Sequence, residues 1–191
     1  FVFSGEQSCP YREDAAPAPL GVYGQSKWEG EQAVLDVLPG ATIIRTAWTY
    51  GNHGNNFVKT ILALAAAHDE LRVVDDQIGT PSWTADVFRA IWTLIKADAS
   101  GVFHFTNEGV ASWYDFAHEI VSRARELGMP VKAERITPIS TMEYPLPAKR
   151  PSYSVLNKER IRSVLDYPIP HWTDSLGVML EVMNERPQGS R

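Results

Sequence analysis

Cysteine is nearly absent from the 191-residue sequence: Cys9 stands alone. No internal disulfide can form, which fits a reducing, cytoplasmic setting. Long apolar runs are missing too; none approaches the roughly 20 residues that a bilayer-spanning helix needs, so the reading is of no membrane partner. There is no excess of basic residues. Eighteen Lys and Arg face 23 acidic residues, for a net charge of −5, and this argues against nucleic acid as a partner. His53, His68, His104, His118 and His171 are scattered without paired spacing or cysteine partners, so no zinc site is indicated. No Gly-x-Ser-x-Gly elbow supports a hydrolase. An initiator Met and a charged signal-peptide region are also lacking. The apolar Phe1-Val2-Phe3 opening reads as the middle of a buried strand, and the expectation is a chain that starts partway through a larger protein.

What is present is ordinary for a globular protein: 44% hydrophobic and 21% charged residues. The length suits one good-sized domain or two small ones. Phe1–Gly5 reads as a strand end running into a Gly turn, followed by a Pro- and Ala-rich loop to about Leu20. Helical patterning runs from about Val22 to Leu38, where Pro39-Gly40 stops it. Ala41–Ala47 is β-branched and apolar, a buried strand. A helix over about Asn56–His68 and a strand over Leu71–Val74 come next. Thr84-Ala85-Asp86 can cap a helix whose apolar positions Phe88, Ile91, Trp92 and Ile95 recur at helical spacing. Gly101–Thr106 reads as a strand. The clearest helical stripe follows Ser112: Trp113, Phe116, Ala117, Ile120, Val121, Ala124 and Leu127, with Gly128 at the C-terminal cap. A strand near Glu134–Ile139, a Pro-rich loop, a short helix from Lys158 and a last helix from about Thr173 complete an alternating α/β pattern with parallel strands.

The strongest chemical feature is Tyr23-Gly24-Gln25-Ser26-Lys27. Residues four apart share a helix face. A phenol ordinarily titrates near ~10, too high for ready proton exchange at neutral pH, and an ammonium within about 4–6 Å favours the phenolate. Tyr plus Lys is thus a workable general acid/base pair. Taken alone, the same spacing also describes a solvated helix face.

The run Pro19-Leu20-Gly21-Val22-Tyr23-Gly24-Gln25-Ser26-Lys27 resembles the catalytic helix of the extended short-chain dehydrogenase/reductase superfamily. Other segments are similar, in order, to its dTDP-4-dehydrorhamnose reductase family: Arg45-Thr46-Ala47-Trp48-Thr49-Tyr50-Gly51, Asp76-Gln77-Ile78-Gly79-Thr80-Pro81, Ser112-Trp113-Tyr114-Asp115, and Pro145-Leu146-Pro147-Ala148-Lys149-Arg150-Pro151. The resemblance implies the C-terminal part of a Rossmann-type parallel sheet plus a smaller α/β sugar-nucleotide-binding domain. Residues 1–52 would be the residual part of the NADPH-binding domain. Residues 53–191 would mainly bind substrate, with some elements returning to the sheet.

The implied activity is NADPH-dependent reduction of the C4 keto group of dTDP-4-dehydro-L-rhamnose. Tyr23 would donate the proton, and Lys27 would hold the nicotinamide ribose. NADH is the alternative cofactor. Mg2+ is compatible with the family, but no residue pattern here indicates it. The Ser/Thr partner of the pair and the Gly-rich pyrophosphate turn would both lie upstream of Phe1, so the 191 residues alone are expected to be inactive. Rival readings are a related nucleotide-sugar epimerase or reductase, or a non-catalytic protein like the regulatory subunit of methionine adenosyltransferase. A monomer or a homodimer is expected.

The implied substrate residues each have a structural alternative. Trp48 would face the deoxysugar, or belong to the core. Asn55 or Asn56 would meet the diphosphate at a helix N-terminus, or cap that helix. Gln77, Gly79 and Pro81 would lie near the nucleotide, or form a turn. Arg150, framed by prolines, would grip phosphate, or be a surface arginine. Trp113 reads as core, with ligand contact as the alternative.

Overall fold

The computed structural model describes residues 2–145 and 148–185. Phe1 of the expected opening strand, Leu146 and Pro147 of the Pro-framed loop, and the tail 186–191 of the second expected domain lie outside them. In order, the chain forms α1 (Val22–Val37), β1 (Thr42–Arg45), β2 (Thr49–Tyr50), α2 (Phe57–Ala67), β3 (Glu70–Val74), β4 (Ile78–Gly79) and β5 (Ser82–Trp83). It continues through α3 (Thr84–Lys96), β6 (Gly101–His104), β7 (Ala111–Ser112), α4 (Trp113–Glu126), β8 (Arg135–Ile139), α5 (Glu159–Arg162) and α6 (Trp172–Glu185).

Among the described residues, three strand pairs are parallel: β1 with β6, β2 with β5, and β3 with β8. The fourth, β4 with β7, is antiparallel and sets Gly79 opposite Ala111 and Ile78 opposite Ser112. The β1–β6 pair unites residues 42–45 with 101–104, so the chain returns to its first strand after about half its length. The architecture is a mixed α/β fold with parallel pairing.

Local chemistry explains the helix ends. Asn56 caps α2, its side chain accepting from the Lys59 backbone N–H. Ser112 and Asp115 form a reciprocal capping box that starts α4 at Trp113. Beyond its other end, Gly128 turns the chain at φ +68°, where a side chain would be strained. Phe116, Ala117, Ile120 and Val121 bury the predicted stripe of α4 in one core with Val58, Leu176 and Met179, and Ala124 is buried as well. Phe116 is surrounded by the rings of Tyr50, Phe57 and Trp172 at 5.4, 5.4 and 5.7 Å, and removing such a ring costs about 3–5 kcal/mol.

Two expectations, the α3 cap and the opening strand, need correction. The α3 periodicity is helical as expected, but its bulky apolar positions do not face the core. Phe88, Trp92 and Ile95 are 65%, 53% and 62% exposed and Ile91 is 37% exposed, whereas Ala90 and Leu94 are 0% and 1% exposed. The small Ala90 lets the helix sit close to Phe103, Phe105 and Ile161. Buried Asp86 fixes the rotation through hydrogen bonds from Asn107 Nδ2 at 2.7 Å and Ser175 Oγ at 2.5 Å. Trp83, not Thr84, takes the N-cap position of α3. At the chain's start, Val2 and Phe3 are buried as expected, yet they join no strand. The Val2 carbonyl accepts from Ala18 N–H at 2.8 Å instead, tying the segment to the loop that follows.

Candidate functional site

Helix α1 is thinly attached to the rest of the chain, since Gly24 is its one buried residue. Its anchor is ionic. The Arg45 guanidinium, at the end of β1, donates from Nε to both Glu31 carboxylate oxygens at 3.0 Å and from Nη2 to Oε2 at 2.7 Å. Both side chains are nearly buried, at 8% and 12% exposure. Arg45 also lies over the rings of Phe3 and Trp28, at 5.4 and 5.8 Å from their centroids. Behind it, His104 Nδ1 lies 3.1 Å from the Tyr11 carbonyl and Nε2 lies 3.4 Å from Arg45 Nη1. This suits a neutral ring that donates through Nδ1–H and accepts at Nε2. Burial holds the imidazole below its ordinary range; Glu13 opposes the shift and Arg45 adds to it.

The anchored helix presents Tyr23 and Lys27 to a cleft of about 320 Å³ between α1, β1 and the segment at Pro151–Leu156. The Lys27 ammonium sits 5.4 Å from the centre of the Tyr23 ring. Tyr23 is 65% exposed, so its hydroxyl is open to a ligand. Thr46, Trp48, Thr49, Tyr153 and Ser154 line the same cleft. Tyr23 also borders a second recess, whose far rim is Ala148, Lys149 and Arg150. Tyr23 is thus shared between the two: it lines the cleft with Lys27 and Trp48, and the recess with Lys149 and Arg150.

Other sequence-nominated residues lie apart from the cleft lining. Asn55 is exposed in the loop before α2. Asn56 has its amide engaged at both ends, accepting from Lys59 N–H and donating to the Gly51 carbonyl at 2.8 Å. Gln77 is buried and donates to Thr141 Oγ1 at 2.9 Å. Pro81 is buried between β4 and β5. Gly79 lies behind Trp48: a Cβ there would sit 2.5 Å from the indole Cε2. Sequence reasoning missed the lining roles of Thr46, Thr49 and Tyr153. Thr46 and Thr49 flank Trp48, and that neighbourhood was the available signal.

A second polar centre is structural. Lys158 Nζ donates to the Asn107 carbonyl at 2.6 Å and pairs with Glu108 at 3.0 Å. Burial draws the Lys158 ammonium below its ordinary range, against the pull of Glu108. Burial pushes Glu108 up, but hydrogen bonds from Arg162 and Lys158 outweigh it and hold the carboxyl low.

Comparison with known proteins places this geometry in context. The profile of the RmlD substrate binding domain matches residues 1–185. A dTDP-4-keto-6-deoxy-D-glucose reductase of Streptomyces niveus is 41% identical over 185 residues, covering 96% of this chain and 62% of that protein. A dTDP-4-dehydrorhamnose reductase of Sinorhizobium fredii is 40% identical over 183 residues, covering 92% and 61%. The fold is similar to a dTDP-4-dehydrorhamnose reductase of Bacillus anthracis solved in complex with NADP, with a TM-score of 0.88 and 38% identity over 95% of this chain and 62% of that one. The chain therefore spans about three fifths of the length of the relatives it matches.

Proposed function

Because the chain belongs to the RmlD substrate binding domain family, we propose that it carries the proton-donating and sugar-binding part of an NADPH-dependent reductase of dTDP-4-dehydro-L-rhamnose. The observation that carries this reading is Tyr23 and Lys27, side by side on one helix and open to one cleft with Trp48. When bound, NADPH supplies the hydride. Tyr23 donates its hydroxyl proton to the C4 oxygen as the carbonyl becomes an alcohol. Lys27 holds the nicotinamide ribose hydroxyls and keeps positive charge beside the phenol. The exposed phenol, the neighbouring ammonium and the open cleft fit that end of the cofactor. Trp48 forms the wall against the apolar face of the deoxysugar, and Arg150 on the cationic rim meets the diphosphate.

The β1–β6 pairing supports a division in which residues 1–52 serve the cofactor side and residues 53–191 mainly the sugar nucleotide, with β6 returning to the first sheet. The test is Tyr23→Phe in a polypeptide of the relatives' full length. NADPH oxidation with dTDP-4-dehydro-L-rhamnose should fall by about 10²–10⁴, the usual worth of a positioned acid, with little change in nucleotide-sugar affinity. Near-normal turnover would remove Tyr23 from the role. A second reading, reduction of the 4-keto-6-deoxy-D-glucose nucleotide, is favoured by the name of the Streptomyces niveus relative. Product analysis with both 4-keto sugars separates the two.

A further inference from the structure

Trp48 has φ +48°, a left-handed backbone that a bulky side chain rarely adopts. Such a conformation persists where the surroundings determine it, and its neighbours do so here. The Trp48 and Trp113 rings are stacked, their centroids 3.5 Å apart and their planes within 7°. Phe57 backs Trp113 on α2, at 4.6 Å between centroids. Gly79 meets the indole edge: an added Cβ would approach Cε2 to 2.5 Å and both Nε1 and Ser154 Oγ to 2.7 Å. The Trp48 carbonyl, in turn, accepts from Ser82 N–H at 3.1 Å.

The two sides of this clamp are placed by one structural device. The antiparallel β4–β7 pair sets Gly79 opposite Ala111 and Ile78 opposite Ser112, and the Ser112 capping box starts α4 at the next residue, Trp113. We propose that Trp113 and Gly79 are positioning residues: they hold Trp48 in one orientation as the wall that reads the hexose of the bound sugar nucleotide. Trp113 covers one face of the indole and so leaves the rest to the cleft. Gly79 supplies the space that the indole edge occupies. This rests on the functional reading above, and it predicts an effect confined to the sugar.

The experiment is calorimetric binding of dTDP and of dTDP-L-rhamnose to the full-length polypeptide. In the wild type the sugar should add affinity. Trp113→Ala should weaken dTDP-L-rhamnose about tenfold, with dTDP within about twofold, because an aromatic stack is worth that much and the proposal sets only the hexose against the indole. Trp113→Phe, which keeps a ring, should recover most of the loss. Gly79→Ala should reproduce it by displacing the indole. Adding Trp113→Ala to Trp48→Ala should cause no further loss, since both act through one wall. Equal weakening of both ligands by Trp113→Ala, unchanged sugar affinity in Gly79→Ala, or full additivity with Trp48→Ala would overturn the clamp. Wild-type protein that binds neither ligand would overturn the functional reading instead.

Discussion

Removing Arg45 tests whether the Tyr23/Lys27 helix is held to the fold by charge. Three nitrogen–oxygen contacts of 2.7–3.0 Å join Arg45 to Glu31, and the pair is 8% and 12% exposed. Arg45→Met leaves a nearly buried carboxylate without its partner, which typically costs about 3–5 kcal/mol.

Urea unfolding at pH 7 should therefore show a loss of about 3–4 kcal/mol, a large share of the ~5–15 kcal/mol that holds a typical domain together. Glu31→Gln should cost less than Arg45→Met, because an amide can still accept from the guanidinium. A double-mutant cycle should give a coupling above about 1 kcal/mol, and little of it should be lost in salt because the pair is shielded from solvent. Since α1 buries no residue besides Gly24, hydrogen exchange in Arg45→Met should quicken first in α1. A loss under about 1 kcal/mol, within the range of exposed pairs, would refute the tether.

Three other outcomes follow from the packing. His104 is held neutral by burial and by Arg45, so the unfolded chain takes up its proton first as pH drops below about 6.5; the urea midpoint should fall through that window, and His104→Gln should flatten the fall. On α3, Leu94→Ala should cost about 2–5 kcal/mol, while Trp92→Gln on the exposed face should stay within about 0.5 kcal/mol in the same unfolding assay. Asn107 donates to Asp86, Ser175 and the Pro170 carbonyl and accepts from Trp83 N–H. Asn107→Ala should therefore lower stability by about 2–4 kcal/mol through orphaned buried groups, and a near-neutral thermal shift would contradict that network.

How much of this was legible in the sequence depends on the distance between cause and effect along the chain. The Tyr23/Lys27 pair is an i, i+4 relation, and the α4 stripe with Gly128 beyond it is a local pattern, so both could be read directly. The α3 face could not. Its bulky stripe at Phe88, Ile91, Trp92 and Ile95 outweighs Ala90 and Leu94 by hydrophobicity, while the helix rotation is set by Asp86 bonding to Asn107 and Ser175, far away in sequence. The two-residue strands β2, β4, β5 and β7 are too short to show a period. Yet β4 and β7 align Gly79 with Ala111, and that register brings Trp113 onto Trp48, 65 positions upstream. The motifs around Trp48, Gly79 and Trp113 were each visible, but as separate readings of wall, turn and core. Their pairing makes them one object: the wall needs the core ring behind it, and the ring's placement needs the turn. A substitution at any of the three should then be judged by what it does to the indole of Trp48, not by its own neighbourhood in sequence.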